Sequence, residues 1–235
     1  MRNWKINIGN FFFKYRSFTP IPLILGVFLL FKPVKTGKID FLIDILGISI
    51  SIVGEILRIL AVGYSFTGTS GRESYLRADN LNTSGIYSIT RNPLYIGNFC
   101  IFTGLIIVYS NFLALGTFVF FLFFQYYFII LAEENYLLSK YGKSYNEYRS
   151  RVNRILPSFG KYIPNRNRFD MQKVIYKEND SVFNMLVMLG IVLVIKEFNN
   201  KEKIANPIFY IMAGILLFGS YIFVKIQKKK RHTKN

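Results

Sequence analysis

The residues best equipped for chemistry fall in two short clusters separated by apolar sequence: Tyr87, Arg91, Asn92, Pro93, Leu94 and Tyr95 in the first, Glu133 and Glu134 in the second. A proline disfavours helical backbone at the residue before it and fixes its own φ, so a helix is predicted to start at Pro93 with its first N–H groups unpaired. Such a helix end attracts anions. Arg91 sits just before it and Tyr87 and Tyr95 flank it, so one segment can offer a positive charge, backbone donors and aromatic faces to a charged ligand. Glu133 and Glu134 add negative charge at the end of an apolar run. Neighbours on a helix point about 100° apart, so only one of the two readily faces Arg91 and a bound cation. The plainer alternatives are a turn at the membrane surface with an interfacial arginine and two belt tyrosines, and a pair of solvated carboxylates.

Other chemistries are excluded by what the chain lacks. Its single histidine, His232, lies in a lysine-rich tail and its single cysteine, Cys100, in an apolar run. A zinc site, a serine or cysteine triad and an intrachain disulfide are therefore not expected, and no metal is called for. The polar, glycine-rich stretch 64–90, with Thr67-Gly68-Thr69-Ser70-Gly71-Arg72 inside it, lacks the Gly-Lys-Ser or Gly-Lys-Thr ending of a phosphate loop and follows no strand. Residues 1–16 carry four basic side chains but no cleavage site of a signal peptide follows.

The elements that must position these clusters are membrane helices. Of 235 residues 51% are hydrophobic, 24 of them Phe, which makes lipid the solvent and predicts an all-α polytopic bundle. The net charge of +17 sits between the apolar runs, not interleaved with aromatics, so it fits lipid headgroups and topology signals better than nucleic acid. Apolar runs are read at 17–31, 41–63, 93–109, 112–132, 182–195 and 204–224, about five to six crossings, with 17–31 and 182–195 short for a full span. Within 41–63, Glu55 and Arg58 are three apart and are expected to pair. Ser110-Asn111 makes a tight turn, so 93–132 forms a hairpin whose open ends bring Arg91 and Tyr95 beside Glu133 and Glu134. Gln125 in its returning half is expected to face protein. Residues 133–154 form an amphipathic surface helix with a break at Gly142, and 157–180 reads as basic and irregular. With both termini inside, the basic segments fall on the cytoplasmic side, apart from the loop holding Lys32, Lys35 and Lys38.

The spacing Gly85-x-Tyr87-x-x-x-Arg91-Asn92-Pro93-x-Tyr95-x-Gly97, then Glu133-Glu134-x-x-Leu137-x-x-x-Tyr141-Gly142-x-x-Tyr145-x-x-Tyr148-x-x-x-Val152-x-Arg154-x-x-Pro157, resembles the isoprenylcysteine carboxyl methyltransferase family and the similar phospholipid methyltransferases. The likeness covers 57–157, the expected core of a single membrane domain spanning 1–235; residues 158–235 add a basic linker, two helices and a basic tail. It implies S-adenosylmethionine held in a cytoplasmic pocket by Tyr87, Asn92, Pro93, Leu94, Tyr95 and Glu133, with Leu81 and Asn82 contributing from the preceding loop. Arg91 and Glu134 are the candidate catalytic pair.

Two departures bear on the substrate. Asn92 stands where the family commonly has histidine and cannot act as a base. Ile129 stands where relatives acting on prenylcysteine place an arginine, which disfavours that substrate. The loop segments resemble bacterial members, some of which methylate lipid headgroups, implying a bacterial inner-membrane enzyme. Methyl transfer from a sulfonium needs positioning and exclusion of water more than a covalent group. A phosphate or carboxylate acceptor needs no base, and Arg91, with Arg58 or Arg154, can orient it. The expected acceptor is thus an anionic oxygen of a lipid-like substrate, such as a lipid A phosphate. The alternatives are N-methylation of phosphatidylethanolamine, with Glu133 or Glu134 as base, and a non-catalytic scaffold or transporter.

Overall fold

A computed structural model describes residues 3–66, 75–201, 203, 204 and 206–232. The Thr67 to Arg72 stretch falls outside these. The described chain is helical: α1 (Asn3–Tyr15), α2 (Pro20–Leu30), α3 (Asp40–Tyr64), α4 (Ile86–Ile89), α5 (Pro93–Tyr109), α6 (Phe112–Arg151), α7 (Met171–Lys201) and α8 (Pro207–His232). Four segments, 37–64, 112–151, 171–201 and 207–230, are long and apolar enough to cross a bilayer, and α1 with α2, bent by 80°, makes up to five. At 17 residues α5 reaches only about 25 Å, short of a hydrocarbon core of roughly 30 Å. The bundle is polytopic and all-α, and the chain is an integral membrane protein.

Helix α3 packs on α5 through missing side chains. A Cβ at Gly47 would come within 2.5 Å of the Gly104 carbonyl oxygen, and one at Gly54 within 2.5 Å of the Gly97 oxygen. Ser51 sits between them and donates its hydroxyl to the Ile101 carbonyl at 3.1 Å. In lipid, where apolar surface gains nothing by burial, such close backbone approach is what holds helices together. The 93–132 hairpin forms as its sequence implies: Ser110 adopts left-handed backbone at φ 59° and the Asn111 side chain caps α6 by accepting from the Ala114 N–H. Gln125 is 1% exposed, so it faces protein. The core gathers Phe13, Val27, Val108, Tyr109, Phe118, Leu122, Ile129 and Ile130.

The structure departs from the sequence reading at three places. Residues 3–15, read only as a basic leader to the run at 17–31, form α1, which lies along α6; at Gly9 a Cβ would overlap the Phe128 carbonyl. Prolines 20 and 22 then start a second helix instead of one continuous span. Second, the helix that was placed at 182–195 begins at Met171, because Asp170 caps it by accepting from the Lys173 N–H at 2.8 Å. Its polar residues read as loop but find partners across helices: Glu178 with Arg58, Ser181 with Glu55, Asp180 with Lys225. Third, for the same reason, Arg58 does not rely on Glu55 as expected but reaches Glu178 at 2.6 Å.

Candidate functional site

The first cluster is built around a turn stitched to chain that follows α6. Gly85 takes φ 59°, a region only glycine enters without strain, and its N–H donates to the Ile163 carbonyl at 2.7 Å. Helix α4 gives one turn, with the Ser88 hydroxyl donating to the Gly85 carbonyl. Then the backbone extends at Thr90 and α5 begins at Pro93, as the Asn-Pro pair dictates. Along this turn Arg91 N–H donates to the Asn153 carbonyl, Ser158 N–H to the Ile89 carbonyl and the Asn92 side chain to the Arg154 carbonyl at 2.9 Å. Asn92 is buried and occupied as a donor, so its side chain ties the start of α5 to the backbone after α6.

The adjacent carboxylates diverge. Glu134 turns away from the cavity and accepts from Arg91 at 2.6 Å and from Arg154 at 2.5 Å, all but sealed from solvent at 9% side-chain exposure. Its hydrogen bond holds the Arg154 guanidinium's ionisation above its usual value. Arg91 also donates to the Val152 and Arg149 carbonyls, so four of its five N–H bonds are engaged. Glu133, about 100° further round α6, lies on the cavity wall within hydrogen-bonding reach of the Tyr95 hydroxyl, with the Arg16 charge nearby.

That cavity is lined by all eight residues expected to hold a cofactor: Leu81, Asn82, Tyr87, Asn92, Pro93, Leu94, Tyr95 and Glu133. Arg91 borders it too, whereas Glu134 does not. Tyr141, just before the Gly142 break in α6, donates to the Ala78 carbonyl at 2.6 Å and Asn82 accepts from the Phe66 N–H at 2.9 Å, which pins the 78–82 loop against the cavity. Tyr148 donates to the Tyr87 carbonyl at 2.7 Å. Burial, then the Glu133 and Glu178 charges, push the ionisation of the Tyr87 phenol well up, so it stays neutral.

Part of the wall had no signature in sequence. Phe13 arrives from α1 and Arg16 from just beyond its end, Lys177 and Glu178 from α7, and Asn98 from the second turn of α5. Glu178 is 3% exposed and holds Arg58, which also donates to Asn98. Only the intramembrane charges themselves, Arg58 and Glu55 in an otherwise apolar run, hinted that a polar partner must pack there. Among the described residues no three His, Cys, Asp or Glu side chains gather as for a metal ion.

Comparison with known proteins agrees with this architecture over its central part. Residues 42–144 match the family described as phospholipid methyltransferase, a stretch that runs from α3 past the Gly142 break and includes both polar clusters. No curated protein and no solved structure matches the chain. With a hairpin that joins the Arg-Asn-Pro turn to the paired glutamates and a family match across both, this integral membrane chain is similar to the phospholipid methyltransferase family over residues 42–144.

Proposed function

We propose that the protein is an S-adenosylmethionine-dependent methyltransferase that transfers a methyl group to an anionic oxygen of a lipid-like acceptor, a lipid phosphate or carboxylate. The observation that carries this reading is the single cavity in which Glu133, Tyr95, Tyr87 and the first turn of α5 converge. Their chemistry suits the cofactor, which is a cation at sulfur and at its amine, an anion at its carboxylate and aromatic at its base. The Glu133 carboxylate and the tyrosine rings favour the cations, and the N–H groups at the start of α5 favour the carboxylate. The cavity encloses about 160 Å³.

When bound, the cofactor supplies an electrophilic methyl group. The chain's own residues position and shield. Glu133 sets a negative potential at the wall, and Tyr87, kept protonated by burial, offers a neutral donor and no base. Arg91 and Glu134 act as positioning residues that clamp the start of α5 to the end of α6. Arg16 and Arg58, on the wall, are the cations that orient an anionic acceptor. We assign the cavity to the cytoplasmic side of a bacterial inner membrane, on the basic residues that border it.

Cells expressing the protein and fed labelled methionine, followed by mass spectrometry of total lipid, test the reading: label is expected on oxygen of an acidic lipid. The family match favours a second acceptor, the amine of phosphatidylethanolamine, with Glu133 as base. Label on nitrogen selects that acceptor, and purified protein that fails to bind S-adenosylhomocysteine overturns both.

A further inference from the structure

A second cavity, about 420 Å³, lies on the other side of α5's first turn. Its wall is mostly apolar: Leu57 and Leu60 of α3, Ile86 and Ile89 of α4, Ile96 of α5, and Phe159 from the segment after α6. Three features identify what it takes. Leu57, Leu60 and Tyr64 continue a stripe along α3 whose outward residues Ile52, Val53 and Ile56 are about half exposed, and since α3 is a membrane span that exposure faces lipid. The groove is thus open to acyl chains from the side. Pro93 lines both this groove and the candidate cofactor cavity, so the two are separated by one residue at the start of α5. Finally, the segment that lines the groove through Phe159, Tyr162 and Asn165 also carries Lys161, Arg166 and Arg168, all exposed, so positive charge stands on the same stretch of chain. The same segment offers Asn165, whose Oδ1 is buried among groove residues without a hydrogen-bond partner.

We infer that the groove seats an acyl chain of the lipid methyl acceptor, with the anionic headgroup drawn to Lys161, Arg166 and Arg168 and brought over Pro93 towards the cofactor cavity. A third of this wall, Pro157, Phe159, Tyr162 and Asn165, follows residue 144 and lies outside the family-matched stretch. The inference rests on the methyltransferase reading, and its test keeps the two apart.

Full-length protein in vesicles of phosphatidylglycerol carrying an acyl-chain diazirine is photolysed and the adducts mapped. Adducts are expected at Leu57, Leu60, Ile89 and Ile96 at about ten-fold the level on Ile208, Ile215 and Phe223, exposed residues of α8; the excess corresponds to roughly two methylenes of burial. Leu60→Trp, which fills the groove, should cut both the groove adducts and label transfer from S-adenosylmethionine to vesicle lipid by about ten-fold, with S-adenosylhomocysteine binding unchanged. The milder Leu60→Phe should give an intermediate loss, which a misfolded protein would not. Equal labelling of groove and α8 overturns the inference. So does Leu60→Trp that loses adducts but transfers methyl normally, because the groove then holds a bystander lipid. Absent S-adenosylhomocysteine binding with enriched adducts removes the catalytic reading and, with it, the acceptor assignment, leaving a plain lipid site.

Discussion

At the scale of single residues, adjacency in sequence says little about role. Glu133 and Glu134 are consecutive, yet one faces a cavity and the other is locked between two guanidinium groups. The two should therefore fail differently. Glu133→Gln is expected to weaken S-adenosylhomocysteine binding by about 30-fold, equivalent to roughly 2 kcal/mol for a lost buried charge partner, with unfolding little changed; titration calorimetry in detergent reads this. Glu134→Gln leaves Arg91 buried with a neutral partner and should lower stability by about 3 kcal/mol in denaturant unfolding, while folded molecules still bind. Tyr87 gives a prediction in pH. Its protonated form persists above the ordinary phenol value near 10, so the cavity gains no phenolate base and the rate for an anionic acceptor should not rise between about pH 8 and 9. An amine acceptor, mostly protonated in that range, would instead speed up as pH rises.

At the scale of elements, the site depends on a turn and a seam. Gly85 combines positive φ with contact: a Cβ there would overlap the Asn165 side chain. Gly85→Ala should therefore cost more than the roughly 1–2 kcal/mol of left-handed backbone alone, seen as a lowered thermal midpoint and weaker cofactor-analogue binding together, since Gly85 starts α4, whose second residue is Tyr87. The seam of α3 and α5 is held by Gly47, Gly54, Gly97 and Gly104, and it sets the spacing between Arg58 and Asn98 across the cavity wall. The break at Gly142, with φ 50° and ψ −116°, frees the end of α6 to bring Tyr145 and Tyr148 back against the Tyr87 turn.

At the scale of the whole molecule, the cavity is larger than the family-matched stretch 42–144, because the turn just beyond α1 supplies Arg16 and α7 supplies Glu178. Glu178→Ala should strip Arg58 of its partner and reduce both stability and analogue binding, although position 178 lies outside that stretch. Adding Arg58→Leu should recover stability by removing the uncompensated charge without recovering binding, a pattern a purely structural pair would not give. Helix α8 contributes nothing to the cavity and presents apolar side chains almost all round, as a helix bathed in lipid does.

What the sequence determined by itself is what short-range rules govern. Composition set the solvent, Asn92-Pro93 set the start of α5, Ser110-Asn111 set the hairpin, and the hairpin brought Arg91 and Tyr95 to Glu133 and Glu134. The tertiary structure alone decided which glutamate meets the cavity, that Arg58 belongs to Glu178 rather than to Glu55, that residues 3–15 form a helix along α6, and that 171–181 is helix with polar partners. The reason is physical. In lipid a charged side chain must find its counterpart wherever the bundle supplies one, and partners as far apart in the chain as Arg58 and Glu178 leave no mark in local spacing.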